Sequence, residues 1–420
     1  MKTLANSQNI TTATNTCRVR PTYEYDNAGR LHSLTNFNGT VTTYSLDDAN
    51  RLTGISSKKT DNSVIASFAY TLDANGNRIG IDKNIPLTAP LPVRNETADY
   101  THNRIDSTST ASYVHDNEGQ LSTKTEGGST SYTFDDAYRL TGISDGTTTS
   151  YSYDGAGNRI KAIRNGTETR YIYDAAGNLL AETDSSNTIT RYYIHGAGLL
   201  AAVTPTDVVY CYHFDGVGST VAITDSSQSV VNSYAYTPFG ILLNESESFT
   251  QPFKYVGGLG VLAEASGFYY MRARYYDPIV GRFISEDPLG FGGGDVNLMV
   301  YAGSNPVLLV DPWGLTWQQD VSFIARAVGI VTLEVHIEAF RQVAQVAATS
   351  IVLGRISTAA QLTHIQAAAL DNSLKAADIL NRTGGSDLRD FAQRVDSKIR
   401  TAREEVYGNT TSATTTQAGK

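Results

Sequence analysis

The chain has 420 residues, a formal net charge of −9 and 18% charged residues, with 25 Tyr, 36 Gly and 2 Cys. That length allows two or three domains with a sizeable core, and abundant Tyr and Gly at low charge points to an all-β region rich in turns. The acidic balance excludes a dominant basic footprint for nucleic acid, and Cys17 and Cys211 are too few and too far apart for a disulfide framework or a zinc site.

The first residues, MKTLANSQNITTATNT, contain no apolar core. A classical secretory signal is therefore not expected. The most apolar stretch, FIARAVGIVTLEVHI from Phe323, is broken by Arg326, Glu334 and His336, which argues against a membrane span.

An internal repeat dominates the chain up to about residue 248. Representative copies are YEYDNAGRL (23–31), YTLDANGNRI (70–79), YVHDNEGQL (113–121), YSYDGAGNRI (151–160), YIYDAAGNLL (171–180) and YHFDGVGSTV (212–221). Tyr-x-aromatic puts both rings on one face of a strand. Asp26, Asp73, Asp116, Asp154, Asp174 and Asp215 each take the first position of a turn, where the carboxylate accepts backbone N–H groups. Gly29, Gly157, Gly177 and Gly218 supply the positive φ that closes a hairpin with a bulge. Asn50 tolerates that slot. Tyr138 in it predicts a different turn, and His195 replaces the aspartate in YYIHGAGLL (192–200). One hairpin is not stable alone, so the copies are expected to stack into a long sheet. The segment IPLTAPLPVRN (85–95) breaks the period and reads as a loop.

From Phe249 the repeat gives way to QPFKYVGGLG and GFYYMRARYYDPIVGRFISEDPLGF, followed by DPWGL at 311–315. After Leu315 the composition turns Ala-, Val- and Gln-rich. Three helical patterns follow: one from about 321, one opening at Ser357 and ending at Gly384-Gly385, and one from Ser386 to Gly408. The last dozen residues read as disordered. The expected fold class is mainly β, with stacked hairpins in 1–248, a distinct segment at 249–315 and a small all-α C-terminal domain at 316–420.

These residues are similar to a known family. The hairpins resemble the YD repeats of RHS proteins, a teneurin-like YD shell. FKYVGG, GFYYMRARYYDPIVGRFISEDPLG and NLMVYAGSNPVLLVDPWGL resemble the RHS repeat-associated core. The resemblance implies a spiral β-shell around a C-terminal toxin, plugged by the core segment, which cuts the chain after DPxGL. It also implies bacterial toxin delivery: a cytoplasmic protein exported by a non-classical secretion apparatus, with a cognate immunity protein as partner and no cofactor. Full shells in the family are longer, so nine or ten hairpins predict only a partial wall.

Three Asp-Pro pairs precede the seam, at Asp277, Asp287 and Asp311. Their plain reading is turn formation. The functional reading is two carboxylates sharing one proton, one activating water and the other polarising the scissile carbonyl. The resemblance favours the second reading. Asp287 and Asp311 form the expected pair, with Asp277 in reserve, Arg282 as the orienting cation and Leu315–Thr316 as the scissile bond. The repeat aspartates are explained by turns and lack calcium-loop spacing, so no metal is expected. The tyrosine rows admit two readings, a glycan-binding surface or aromatic ladders filling a sheet face. Rival whole-chain readings are an adhesion module and an inactive remnant. The tail offers His336, Glu338 and His364 without a recognisable catalytic motif. An enzyme, a membrane-active bundle with an apolar face near 323–337, and an inert tail all stay open.

Overall fold

The structure, a computed structural model, describes residues 21–92 and 97–319. Strands follow one another as antiparallel neighbours. Six, from Thr22–Tyr25 to Arg78–Asn84, form one sheet, and sixteen, from Ala98–Thr101 to Leu242–Glu247, form a second. The interrupting prolines at 86, 90 and 92 fall between the two sheets, where a missing N–H does no harm to a ladder.

Each repeat turn is built by its aspartate. The Asp26 amide donates to the Arg30 carbonyl (2.9 Å) and the Gly29 amide donates back to the Asp26 carbonyl (3.0 Å). Oδ1 of Asp26 accepts the amides of Ala28 and Arg30, both at 2.9 Å. Gly29 sits at φ 77°, where a side chain would cost energy. The register shifts by one residue at Glu24/Tyr25, the bulge expected of such a turn. The same pair of backbone bonds recurs at Asp73, Asp116, Asp154, Asp174 and Asp215.

Three arginines that end these turns also join neighbouring hairpins. Arg30 pairs with Asp26 and donates to the Asp47 carbonyl one hairpin on (2.9 Å). Arg51 does the same toward Asp73 (3.3 Å) and Arg139 toward Asp154 (3.1 Å).

Tyr138 corrects one expectation. It adopts φ 64° and completes the ordinary turn, its amide donating to the Asp135 carbonyl (2.9 Å). The Asp135 carboxylate takes two amides and the Arg139 guanidinium, which together outweigh the strain of a left-handed tyrosine. The His195 copy closes differently. Gly196 pairs with Gly198 across Ala197 alone, and the imidazole reaches the Leu179 carbonyl (2.8 Å).

The first sheet folds back on hairpins far along the chain. The Tyr23 hydroxyl accepts the Ala197 amide (3.1 Å), and the Tyr70 hydroxyl accepts the Gly216 amide (2.8 Å). Asn38 donates to the Asp225 carbonyl (2.7 Å), and Gln228 returns a bond to the Asn38 carbonyl (2.7 Å). Leu52, Ile55, Phe68 and Tyr70 pack on Val221 beneath these bonds. The wall is thus partial in strand number, yet it meets itself. It does so because the right-handed twist of a long sheet curls its ends together.

Seven of the eight hairpins in the second sheet bury one tyrosine each: Tyr113, Tyr132, Tyr151, Tyr171, Tyr193, Tyr212 and Tyr234; Tyr100 of the first is exposed. Phe249, Phe253, Phe268, Tyr270, Tyr275 and Ile284 of the inner segment fill this face. The row is therefore a packed ladder and not an open glycan surface. A four-stranded sheet, Leu262–Ala263 to Arg282–Phe283, and a pairing of Leu309–Val310 with Gln318–Gln319 complete the fold. The expected helices after 319, with His336, Glu338 and His364, lie outside the described residues.

Replacing Tyr138 by Gly tests the turn. Removing the left-handed strain, worth about 1–2 kcal/mol, against an entropic cost of about 0.5–1 kcal/mol, should raise the thermal midpoint slightly. An unchanged or lower midpoint by calorimetry counts against a strained turn at this copy.

Candidate active site

The inner segment carries a hairpin in which Tyr269–Met271 pairs with Arg274–Asp277, Tyr270 opposite Tyr275 and Met271 opposite Arg274. Alternation sends Tyr275 and Asp277 toward the wall and Arg274 and Tyr276 to the opposite face. There the Arg274 guanidinium lies 3.7 Å over the Phe283 ring.

Each Asp-Pro pair opens a turn, as its plain reading required. The Asp277 carbonyl accepts the Gly281 amide (2.9 Å), the Asp287 carbonyl that of Gly290 (2.9 Å), and the Asp311 carbonyl that of Gly314 (3.3 Å). One carboxylate oxygen serves each turn. Oδ1 of Asp277 takes the Ile279 amide (2.8 Å), that of Asp287 the Leu289 amide (2.8 Å), and that of Asp311 the Leu315 amide (3.0 Å).

The second oxygens have different fates. Oδ2 of Asp287 and Oδ2 of Asp311 converge on Nη2 of Arg274, at 2.9 and 3.2 Å. Nε of Arg274 donates to the Gly314 carbonyl (2.6 Å) and Nη1 to the Leu298 carbonyl (2.9 Å). One guanidinium therefore ties both aspartates to the DPWGL loop. Gly293 closes the other side. A Cβ on it would stand 2.9 Å from Cγ of Asp287 and 2.9 Å from the Leu315 carbonyl oxygen. The Asp287 carboxyl and the carbonyl of the expected scissile bond therefore face each other across a bare backbone.

Arg274, Asp287 and Asp311 are all almost wholly buried. Burial pushes the Asp287 carboxyl up to about 6, with Arg274 opposing and the Asp311 charge adding to the rise. Burial raises Asp311 too, opposed by Arg274 and by the amides of Leu315, Gly314 and Thr316. Two acids and one guanidinium in a dry pocket favour retention of a single proton by the pair.

The remaining expected residues lie elsewhere. Arg282 donates to the Asn103 carbonyl (3.0 Å) and covers the Tyr100 ring. It stands on the wall side, and the arginine between the aspartates is Arg274. Asp277 is buried beside Lys124, 3.9 Å away. Sequence reasoning passed over Arg274, although strand alternation in RYYD already set it on the face opposite Tyr275. It also passed over Glu286, which pairs with Arg104 of the wall (2.8 Å), and Trp313, whose ring lies under the Arg272 guanidinium at 3.8 Å. Among the described residues, no group of three or more His, Cys, Asp or Glu side chains is arranged to hold a metal. No helix among them is long and apolar enough to cross a membrane.

Comparisons with known proteins agree with this architecture. The family model described as the teneurin YD-shell matches residues 5–292. The double-stranded DNA deaminase toxin A of Burkholderia cenocepacia is 48% identical over 65 residues, which is 16% of this chain and 4% of that protein. Toxin protein Tse5 of Pseudomonas aeruginosa is 45% identical over 85 residues, 20% of this chain and 6% of that one. The Tc holotoxin pore of Photorhabdus luminescens superposes with a TM-score of 0.54 at 18% identity, covering 72% of this chain and 19% of that chain. The chain thus spans a small part of the length of these relatives.

The two arginines separate a buried bridge from a peripheral one. Arg274→Met leaves two buried acids without their cation and should cost about 3–5 kcal/mol. Arg282→Met should cost below about 1 kcal/mol. Thermal midpoints of the two purified variants decide it, and equal losses would contradict this geometry.

Proposed function

Because this chain belongs to the teneurin YD-shell family, we propose that it is the wall and plug of an RHS-type toxin-delivery protein. Residues 1–248 supply the wall, 249–315 the plug, and 316–420 a C-terminal effector freed by aspartyl-type self-cleavage between Leu315 and Thr316. The toxins among its relatives support the delivery reading. On this reading the chain is exported from a bacterium by a dedicated secretion apparatus, and a cognate immunity protein guards the producer. The target of the effector is a component of the recipient cell, reached either at its membrane or by an enzymatic tail.

The single observation that carries the cleavage reading is the meeting of Asp287 and Asp311 on Arg274 at the Leu315 peptide. Asp287 is the acid, since burial favours its protonated form and Oδ2 faces the Leu315 carbonyl side of the pocket. Asp311 is the base: burial raises its carboxyl too, but Arg274 and the amides of Leu315, Gly314 and Thr316 oppose that rise and stabilise the ionised form. Asp311 takes a proton from water as the water oxygen adds to the Leu315 carbonyl carbon. The Asp287 proton passes to the carbonyl oxygen. The tetrahedral intermediate then collapses and the C–N bond breaks. Asp311 delivers its proton to the Thr316 nitrogen, and Asp287 recovers a proton from the intermediate's hydroxyl. The products are a C-terminal carboxyl on Leu315 and an amine on Thr316, with one water consumed. Arg274 touches both acids and the Gly314 carbonyl, so it fixes the loop and balances charge through the sequence.

Expression of the full chain should give two fragments, the smaller beginning Thr316-Trp317-Gln318 by N-terminal sequencing. Asp287→Asn and Asp311→Asn should each leave a folded, uncut chain, since amides neither accept nor release the shared proton. An uncut wild-type chain after long incubation across pH 4–8 would remove the reading.

The pH dependence has a fixed sign. The acid form of Asp287 is present below about 6 and is lost as pH rises through that value. Cleavage should therefore slow above pH 6, approaching about tenfold per unit. A rate that climbs from pH 6 to 8 would reverse the assigned roles.

A further inference from the structure

The slot immediately after each repeat turn is normally a buried leucine. Leu31, Leu52, Leu121, Leu140, Leu179 and Leu199 occupy it, and each is nearly inaccessible. In the wall hairpin whose turn is Asp154–Asn158 the same slot, opposite Tyr153 in register, holds Arg159. Its side chain is 1% exposed. Exchanging a core leucine for a guanidinium carries a large desolvation cost, and a buried ion pair seldom offsets it with stability. Such a substitution calls for a role that leucine cannot fill.

Arg159 grips the inner hairpin from the wall side. Nη1 meets Glu264 Oε1 at 2.6 Å and donates to the Tyr275 hydroxyl at 2.9 Å. The Arg159 amide donates to the Tyr270 hydroxyl (3.1 Å), and the guanidinium lies 4.3 Å from that ring. Tyr270 and Tyr275 are cross-strand partners. One wall cation thus holds the hairpin one residue pair below Met271–Arg274, the pair that closes on the tip residues Arg272 and Ala273. That tip in turn holds the DPWGL loop. The Ala273 amide donates to the Trp313 carbonyl (3.1 Å), and Arg272 donates to the Pro312 carbonyl (3.1 Å). Tyr275 follows Arg274 directly and points the other way, so fixing its hydroxyl sets the depth and tilt from which Arg274 reaches the two aspartates.

We propose that Arg159 is a positioning residue for self-cleavage, a wall cation that seats the Tyr270–Tyr275 pair so that Arg274 and the Leu315 peptide reach cutting geometry only when the plug is docked on the wall. This deepens the self-cleavage reading and rests on it. Cleavage then reports that wall and plug have assembled, because the residue that aligns the site belongs to neither aspartate turn.

The test uses the full chain and follows cleavage from the start of refolding on denaturing gels. The wild type and Asp287→Asn come first: a cut wild type beside an uncut Asp287→Asn upholds the aspartate pair, and an uncut wild type removes both that reading and this one. Arg159→Leu installs the residue that six other copies use, so the wall should fold by circular dichroism. Cleavage should nonetheless slow by roughly a hundredfold, the size of effect of an ångström-scale misplacement. Arg159→Lys, which keeps the cation, should recover part of that loss. Tyr275→Phe removes the hydroxyl that Arg159 and Tyr153 share and should slow cleavage severalfold beyond any fall in the folded fraction, which a purely structural role would not produce. Folded Arg159→Leu and Tyr275→Phe chains cutting at the wild-type rate overturn the proposal. So does a rate that falls only in proportion to the folded fraction. Should Arg159→Leu fail to fold, the Lys and Phe variants alone decide: wild-type rates in both reject the positioning role.

Discussion

The joining of the second sheet to the inner segment depends on the burial of one tyrosine from each of seven hairpins against that segment. A hairpin of this kind exposes an aromatic face that it cannot cover by itself. Neighbouring hairpins extend that face into a continuous row from Tyr113 to Tyr234 without covering it. The 249–315 segment supplies the missing layer, with Phe253 edge-on to Tyr193 at 4.8 Å and Tyr275 tilted on Tyr151 at 5.5 Å. Wall and plug are therefore halves of a single core, and neither has a complete apolar interior alone.

Charge is placed within that core with matching partners. Glu264 of the plug faces Arg159 and Arg164 of the wall, both at 2.6 Å. Buried pairs of this kind add little net stability but penalise every wrong register, since a slip leaves a charge unpaired in a dry interior. The cluster of Arg274 with Asp287 and Asp311 is different. It sets two acids against one cation, so charge balances only while the pair holds one proton. Burial in that dry pocket raises both carboxyls against the pull of Arg274 and gives the cluster its chemical interest.

Aspartate does two jobs here with one geometry. In the wall, Asp26 spends Oδ1 on turn amides and Oδ2 on a neighbouring arginine in solvent, where burial is slight and hydrogen bonds hold its carboxyl below the usual range. At the seam, Asp287 and Asp311 spend Oδ1 in the same way and aim Oδ2 at a buried arginine. The turn is common to both. The difference is made by what lies over the second oxygen.

Local features were legible in the residues. The Tyr-x-aromatic-Asp-x-x-Gly pattern defines strand, turn and bulge within nine positions, because those contacts are short in sequence and follow from φ preferences and alternation. The choice of Asp287 with Asp311 as a pair, and of Leu315–Thr316 as the expected scissile bond, came from the family resemblance and not from spacing, which read each Asp-Pro as a turn. Other features depended on contacts between distant residues. Arg274 rather than Arg282 bridges the aspartates because the inner hairpin turns alternate residues to opposite faces and Phe283 roofs only one of them. Tyr138 keeps the ordinary turn because Asp135 and Arg139 outweigh its strain. The return of the first sheet onto hairpins 146 to 190 positions later is written in no single repeat, because it follows from twist accumulated over many strands. The exchange of leucine for Arg159 was visible as a letter. Its meaning appeared only when folding brought Glu264 and Tyr275, more than a hundred positions away, against a guanidinium that the wall alone could not satisfy.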